Sequence, residues 1–151
     1  MKEGQSTIRV ENMPTKEMRS LLQRTGYGHL ACARGDTPYI VPIHFAYEEP
    51  NLYLFTTEGL KTEIIRENPV VCLQAEEVHD RHNWRSVIVT GRAERLTTNE
   101  DRGFAMLLVR ERNPLLTPAL HERRTGEGWR EANPVIYRVQ PLQMTGVKTV
   151  G

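Results

Sequence analysis

The sequence between Tyr27 and Leu96 leaves little choice of topology, because its strand-like stretches are joined mostly by very short turns. YGHLACAR (27–34) and TPYIVPIHFAYE (37–48) are separated only by the turn pair Gly35-Asp36. Glu49-Pro50-Asn51 then turns the chain into LYLFT (52–56), and VVCLQAEEV (70–78), the polar turn HDRHN (79–83) and WRSVIVTGRAERL (84–96) repeat the plan. Parallel neighbours need a connection of about a dozen residues or more, so turns this short point to antiparallel pairing. In the second stretch Tyr39, Val41, Ile43, Phe45 and Tyr47 share one face at period two, with Pro38, Pro42 and His44 on the other. Pro42 has no N–H for a ladder and marks an edge, a bulge or a break in pairing. Gly91, inside the longest stretch, marks a bulge or bend.

Helical signals are fewer. Pro14 suits the first position of a helix in which Met18, Leu21 and Leu22 share a face, ended by Gly26 and Gly28. A short helix is expected from about Leu60 to Glu67, with Leu60, Ile64 and Ile65 inward and Asn68-Pro69 as its stop. Thr97 and Glu100 form a capping box for a third, with Phe104, Leu107 and Leu108 as its apolar stripe and Asn113-Pro114 at its end. Residues 117–133 are irregular and charged and read as a loop or arm, PVIYRVQPLQMTGV (134–147) as a last strand, and residues 1–12 as a flexible N-terminus. About six strands and few helices give a mostly β (α+β) domain over residues 1–151, its antiparallel sheet closing into a barrel with flanking helices.

Composition narrows the function classes. A net charge of +1 argues against binding nucleic acid through bulk positive charge and leaves room only for a local basic patch. No apolar run approaches the ~20 residues of a membrane helix, and Met1 to Val10 lacks the apolar core of a signal peptide. Cys32 and Cys72 are far apart and read as reduced thiols packed in strands, which fits a cytoplasmic protein. The expected partners therefore include neither nucleic acid nor membrane.

The stretch FTTEGLKTEIIRENP (55–69) carries the strongest local chemistry. It runs from a strand into a helix, and a helix N-terminus offers free N–H groups and a positive dipole end to an anion. Gly59 allows close backbone approach, Thr56 and Thr57 offer hydroxyls, and Lys61 adds a full charge; together they suit a terminal phosphate. The plainer alternative makes Thr57 an N-cap and Lys61 a solvated surface charge. The pattern is not GxxxxGK[ST], so this is no nucleoside-triphosphatase loop. His44 is either a packed strand histidine or a catalytic one. His79 and His82 flank Asp80 and Arg81 but lack further ligands, so no metal is expected. His29 and His121 have no visible partner. Trp84, Arg85 and Ser86 suit a flat polar heterocycle, although Trp84 alone fits a core equally well. No serine-hydrolase or Cys–His motif is present.

In this order the segments resemble a known family. FTTEGLKTEIIRENP followed by VVCLQAE resembles the flavin-phosphate segment of the pyridoxamine 5′-phosphate oxidase superfamily, and SVIVTGRAERLT resembles the strand that follows it there. GHLACAR, PYIVPIHFAYE, LYLFTTEGLK and W-R-SVIVTGRAE together are similar to the branch containing the nitroimidazole-resistance (Nim) proteins, a likeness covering about residues 14–112 and, more loosely, the last strand. The resemblance implies a split β-barrel homodimer that binds FMN between its subunits. By it Thr56, Thr57 and Lys61 hold the phosphate and ribityl chain, and backbone around Val41, Pro42, Ile43 and His44 lines the isoalloxazine ring. Ser86, with Trp84 and Arg85, reaches in from the partner. One departure stands out: the oxidases proper carry an arginine and a lysine on the strand occupied here by PYIVPIHF, and this chain has neither from Thr37 to Tyr47. Leu60 also stands where they have another arginine. Vitamin B6 oxidation is therefore not expected. The implied activity is a flavin-dependent reductase that passes electrons from NAD(P)H, bound transiently, to a small planar acceptor such as a nitroaromatic. The alternatives are a non-enzymatic flavin-binding or sensor protein, and the haem- and deazaflavin-binding relatives of the same barrel.

Overall fold

The structure is a computed structural model and describes residues 7–112, 122–131 and 134–151. Its elements in chain order are β1 (Arg9–Asn12), α1 (Thr15–Arg24), β2 (Tyr27–Arg34), β3 (Thr37–Glu48), β4 (Asn51–Thr57) and α2 (Leu60–Glu67). β5 (Val70–Asp80), β6 (Asn83–Arg95), α3 (Asn99–Arg112), β7 (Glu122–Thr125), β8 (Gly128–Glu131) and β9 (Pro134–Val150) complete the series. The main sheet has the order β1-β9-β4-β3-β2-β5-β6, all antiparallel, and an additional β9–β6 pairing closes it. The closed ring is thus β9-β4-β3-β2-β5-β6, the expected barrel. β9 does most of the closing, because its early part pairs with β4, most of its length with β6 and its end with β1.

Alternation fills the barrel. Leu30, Ile43, Phe45, Leu52, Leu54, Leu73, Val87 and Val89 all point inward, each no more than 3% exposed. Fully burying one such side chain is worth roughly 1.5–3 kcal/mol, so this cluster dominates stability. β4 is buried on both faces. Leu52 and Leu54 belong to the interior cluster, whereas Tyr53 and Phe55 join Ala46, Leu96 and Ile136 in a second cluster beneath α3.

Several local expectations change in the folded chain. The N-terminal segment is not free over its whole length, since Arg9 to Asn12 pair with Val150 to Val147. α1 begins one residue after Pro14 and ends before the glycines, where the Thr25 hydroxyl donates to the Leu21 carbonyl at 2.7 Å. Gly28 instead lies within β2, so close to β5 that a Cβ there would sit 2.3 Å from the Gln74 carbonyl oxygen. The irregularity expected at Gly91 falls there, but the extra residue is on β9, where Leu142 is skipped between the pairs Thr90–Gln143 and Gly91–Pro141. α3 starts two residues later than its expected cap: Thr98, not Thr97, accepts the Asp101 N–H at 3.1 Å. Its buried stripe is Ala105, Leu108 and Val109, while Phe104 and Leu107 are about half exposed. Small Ala105 lets the helix approach the Tyr53–Ile136 surface, which rotates the contact face away from the two larger side chains. Within the expected loop or arm, β7 and β8 pair as a hairpin; residues 117–121 and 132–133 lie outside the described residues, as does His121.

Candidate functional site

β3 is where the barrel parts. Its pairing with β4 runs from Glu48–Asn51 to His44–Phe55 and goes no further, because β4 leaves at Thr57 to enter α2. β2 continues alongside β3 as far as Arg34–Thr37. The Phe45 N–H donates to the Gly26 carbonyl, on the β2 side. Ladder alternation therefore turns the backbone groups of His44, Pro42 and Ile40 toward the β4 side. Pro42 thus costs the β2–β3 ladder no hydrogen bond. It occupies an edge, one of the options its chemistry left open. The opening exposes Ile40 and Pro42, while His44 is half-buried with its ring 5.3 Å from that of Tyr27.

The strand-to-helix turn stands at the end of β4, two residues past the last β3–β4 pair. Thr56 and Thr57 are only 7% and 9% exposed, yet no hydrogen bond to either hydroxyl occurs among the described residues. Alternation sends them to opposite faces of β4, so they flank the turn rather than converge. Thr57 does not cap the helix. That task falls to Thr62, whose hydroxyl accepts the Gly59 N–H at 3.0 Å and lies 2.8 Å from both the Gly59 carbonyl and the Glu58 carboxylate. The spacing of Gly59 and Thr62 is a capping-box spacing and is visible in the sequence. Glu58 also pairs with Arg95 of β6. The Thr62 hydroxyl and Arg95 together hold its carboxyl below the usual carboxylate range.

Gly59 is in extended backbone, which any residue can adopt, so its glycine is not a conformational necessity. A Cβ there would lie 3.7 Å from the Lys61 ammonium, which therefore folds back over the turn. The Lys61 charge also reaches Cys32 on β2, where burial pushes the thiol up and the ammonium works against that rise. Cys32 and Cys72 are both free thiols, as expected.

Trp84, Arg85 and Ser86 stand elsewhere on the chain. One row of paired residues crosses the outer face of the sheet through Pro42, His29, Gln74, Ile88 and Thr145. Three strand spacings, about 14 Å, separate Pro42 from Ile88, and Ser86 lies two residues beyond it. Ser86 accepts a hydrogen bond from Gln74 at 3.1 Å, Trp84 N–H donates to the Thr149 hydroxyl at 3.0 Å, and Arg85 stands 4.0 Å from Glu77. A single chain thus unites Thr56, Thr57, Gly59 and Lys61 around one turn, and Val41 to His44 along the neighbouring strand edge. It does not bring Trp84 to Ser86 to them. Among the described residues no cluster of His, Cys, Asp or Glu could hold a metal ion, and no helix is long and apolar enough to cross a membrane.

Residues 14–148 match the family model described as pyridoxamine 5′-phosphate oxidase. The chain belongs to this family. Membership accounts for the barrel and for the order of the segments around the turn at Gly59. An uncharacterized protein of Rhizobium meliloti is 38% identical over 91 residues, 60% of each chain. The chain therefore matches about 60% of the length of this curated relative. Among solved structures, an FAD-binding protein of Mesorhizobium loti is 27% identical with a TM-score of 0.76, covering 96% of this chain and all of its own. A 5-nitroimidazole antibiotic resistance protein of Bacteroides thetaiotaomicron has the same fold at 21% identity and a TM-score of 0.70, covering 95% of this chain and 90% of its own. An FAD- and haem-binding protein of Mycobacterium smegmatis shares the fold at 16% identity and 0.68, covering 91% of this chain and 72% of its own.

Proposed function

We propose that this oxidase-family chain is a flavoprotein that binds FMN at the β3 edge and the Gly59 turn, and that it works as a flavin-dependent reductase. The observation that carries the reading is a nearly buried threonine hydroxyl on either side of β4, Thr56 and Thr57, each without a protein partner among the described residues, beside a turn overhung by Lys61. Such donors, together with a helix N-terminus, suit a phosphate ester. Along the stretch Val41, Pro42, Ile43 and His44, the open edge of β3 turns the exposed Pro42 and the half-buried His44 toward a ring system. The FAD-binding protein of Mesorhizobium loti supports a flavin on this fold. Bound flavin supplies hydride and electron transfer; the chain's residues orient it and exclude water. The donor in this reading is NAD(P)H and the acceptor a small planar molecule such as a nitroaromatic. With neither arginine nor lysine from Thr37 to Tyr47, β3 offers no cationic side chain to a second phosphate there, which speaks against pyridoxamine phosphate as the substrate.

The same reading makes the protein a homodimer. Tyr27, Ile40, Val78 and Ile88 are 43–65% exposed on the outer face of β2, β3, β5 and β6, an apolar surface that a second copy would cover. Trp84, Arg85 and Ser86 would then meet the flavin of the opposite chain. The test is an absorbance spectrum of protein purified from its host, followed by NAD(P)H turnover with a nitroaromatic acceptor. Flavin bands and acceptor-dependent NAD(P)H oxidation are expected. A Soret band in place of flavin bands, or no uptake of FMN by the stripped protein, would sink the cofactor assignment. Flavin without turnover would leave a binding protein. A sedimenting monomer with FMN fully bound would refute the shared site.

A further inference from the structure

A cavity of about 240 Å³ lies between α2 and the β6–β9 side of the barrel. Its polar lining includes Arg66, Arg95 and Tyr137, with Ile65, Pro69 and Ala93 as apolar walls. None of Thr56, Thr57, Gly59 and Lys61 lines it. We propose that this cavity is a binding site for a small oxyanion, a carboxylate or phosphate group.

Three features of the lining point the same way. Both of its charged residues are cationic, and no carboxylate lines the space. The cavity formed by β4, β6 and β9 is different, because there Glu94 stands among the arginines and pairs with Arg138. Tyr137 is the second feature. It is 3% exposed, its ring lies in the barrel core, and its hydroxyl has no hydrogen-bond partner among the described residues. Tyr137 nevertheless lines the cavity. Buried tyrosine hydroxyls normally find a partner, and a ligand oxygen would supply one here. Burial pushes this phenol above its ordinary range; the Arg95 charge pulls the other way, the Glu58 carboxylate adds to the rise, and Arg66 again opposes it. It stays protonated near neutrality and can donate.

Arg95 is the third. Its bond to Glu58, itself held by Thr62, fixes the guanidinium at the cavity wall while leaving further N–H donors for an anion. Arg66 makes no ion pair or hydrogen bond among the described residues. It can close over a ligand from the exposed side. Ile65, Pro69 and Ala93 give an apolar wall to whatever the anion carries.

The site does not rest on the flavin reading, and its test keeps the two apart. Inorganic phosphate and acetate are titrated into the full-length chain by calorimetry. The same titrations are run on Tyr137→Phe, Arg66→Ala and Lys61→Ala, with thermal melts to check folding. Saturable binding of at least one anion is expected, weakened about tenfold in Tyr137→Phe, which keeps the ring and removes only the hydroxyl, and at least as much in Arg66→Ala. Lys61→Ala, which removes the charge assigned to the FMN phosphate, should retain this binding. Preference for phosphate or for acetate identifies the kind of oxyanion. Equal affinity in the parent, Tyr137→Phe and Arg66→Ala, or saturable binding of neither anion, overturns the proposal.

Discussion

His44 and Tyr27 face each other in the β2–β3 register, their rings 5.3 Å apart and inclined at 63°. This edge-on contact fixes the imidazole at the point where β3 loses β4, beside the strip offered to a flavin ring. Imidazole is the side chain best suited to proton exchange near neutrality, and reducing a nitro group consumes protons. His44→Ala should therefore retain FMN but slow acceptor reduction at least about tenfold per bound flavin, the lower part of the range for general acid help. Turnover normalised to flavin content, with melting curves alongside, checks this. A lower melting temperature with an unchanged rate would assign His44 to packing alone.

Lys61→Ala should weaken FMN binding by about 1.5–3 kcal/mol, the scale of a lost charge-assisted hydrogen bond. The ammonium overhangs the turn and Lys61 lies outside both apolar core clusters, so the fold should melt almost unchanged. Fluorescence titration with FMN reads the effect, and an unaltered affinity would remove the phosphate from this turn.

Gly91→Ala should destabilise the barrel by about 1–3 kcal/mol or more, the cost of overpacking a filled interior. The new Cβ would lie 2.4 Å from the Gln140 carbonyl oxygen and 2.7 Å from a Val139 methyl, where β6 and β9 close the ring. Gly103→Ala is the control, since nothing lies within 4 Å of its Cβ position. Urea unfolding of the two variants should separate them clearly; equal midpoints would show that the seam between β6 and β9 yields.

Arg24 donates to both carboxylate oxygens of Glu77 at 2.7 Å, tying α1 to β5. That bond, opposed by partial burial, holds the Glu77 carboxyl below its ordinary value. The pair's contribution is therefore complete above the ordinary carboxylate range and fades as pH falls toward the lower folded value. Both side chains are partly exposed, so the contribution is at most about 1 kcal/mol. Arg24→Gln should flatten that part of the stability curve below about pH 5 without altering its shape near neutrality. Denaturation midpoints between pH 3 and 7, on the scale of ordinary carboxylate titration, measure the difference.

Local chemistry made much of the barrel legible from the sequence alone. The period-two runs place β2 and β3 at their observed limits, and Asn68-Pro69 stops α2 at Glu67, because these signals act over a few residues. The turn at Gly59 was visible for the same reason. Tertiary structure decided the rest. β1 is four exposed residues with no pattern of its own, and it becomes a strand only because β9 extends far enough to pair with it. The buried face of α3 depends on which surface lies beneath it, which no helical period can state. Trp84 to Ser86 remain remote from the Gly59 turn within one chain, since sheet order, not sequence order, sets distance across a barrel. Arg66, Arg95 and Tyr137 come from a helix and two different strands. They line one cavity only because β9 returns to close against β6 while α2 lies across that side of the barrel.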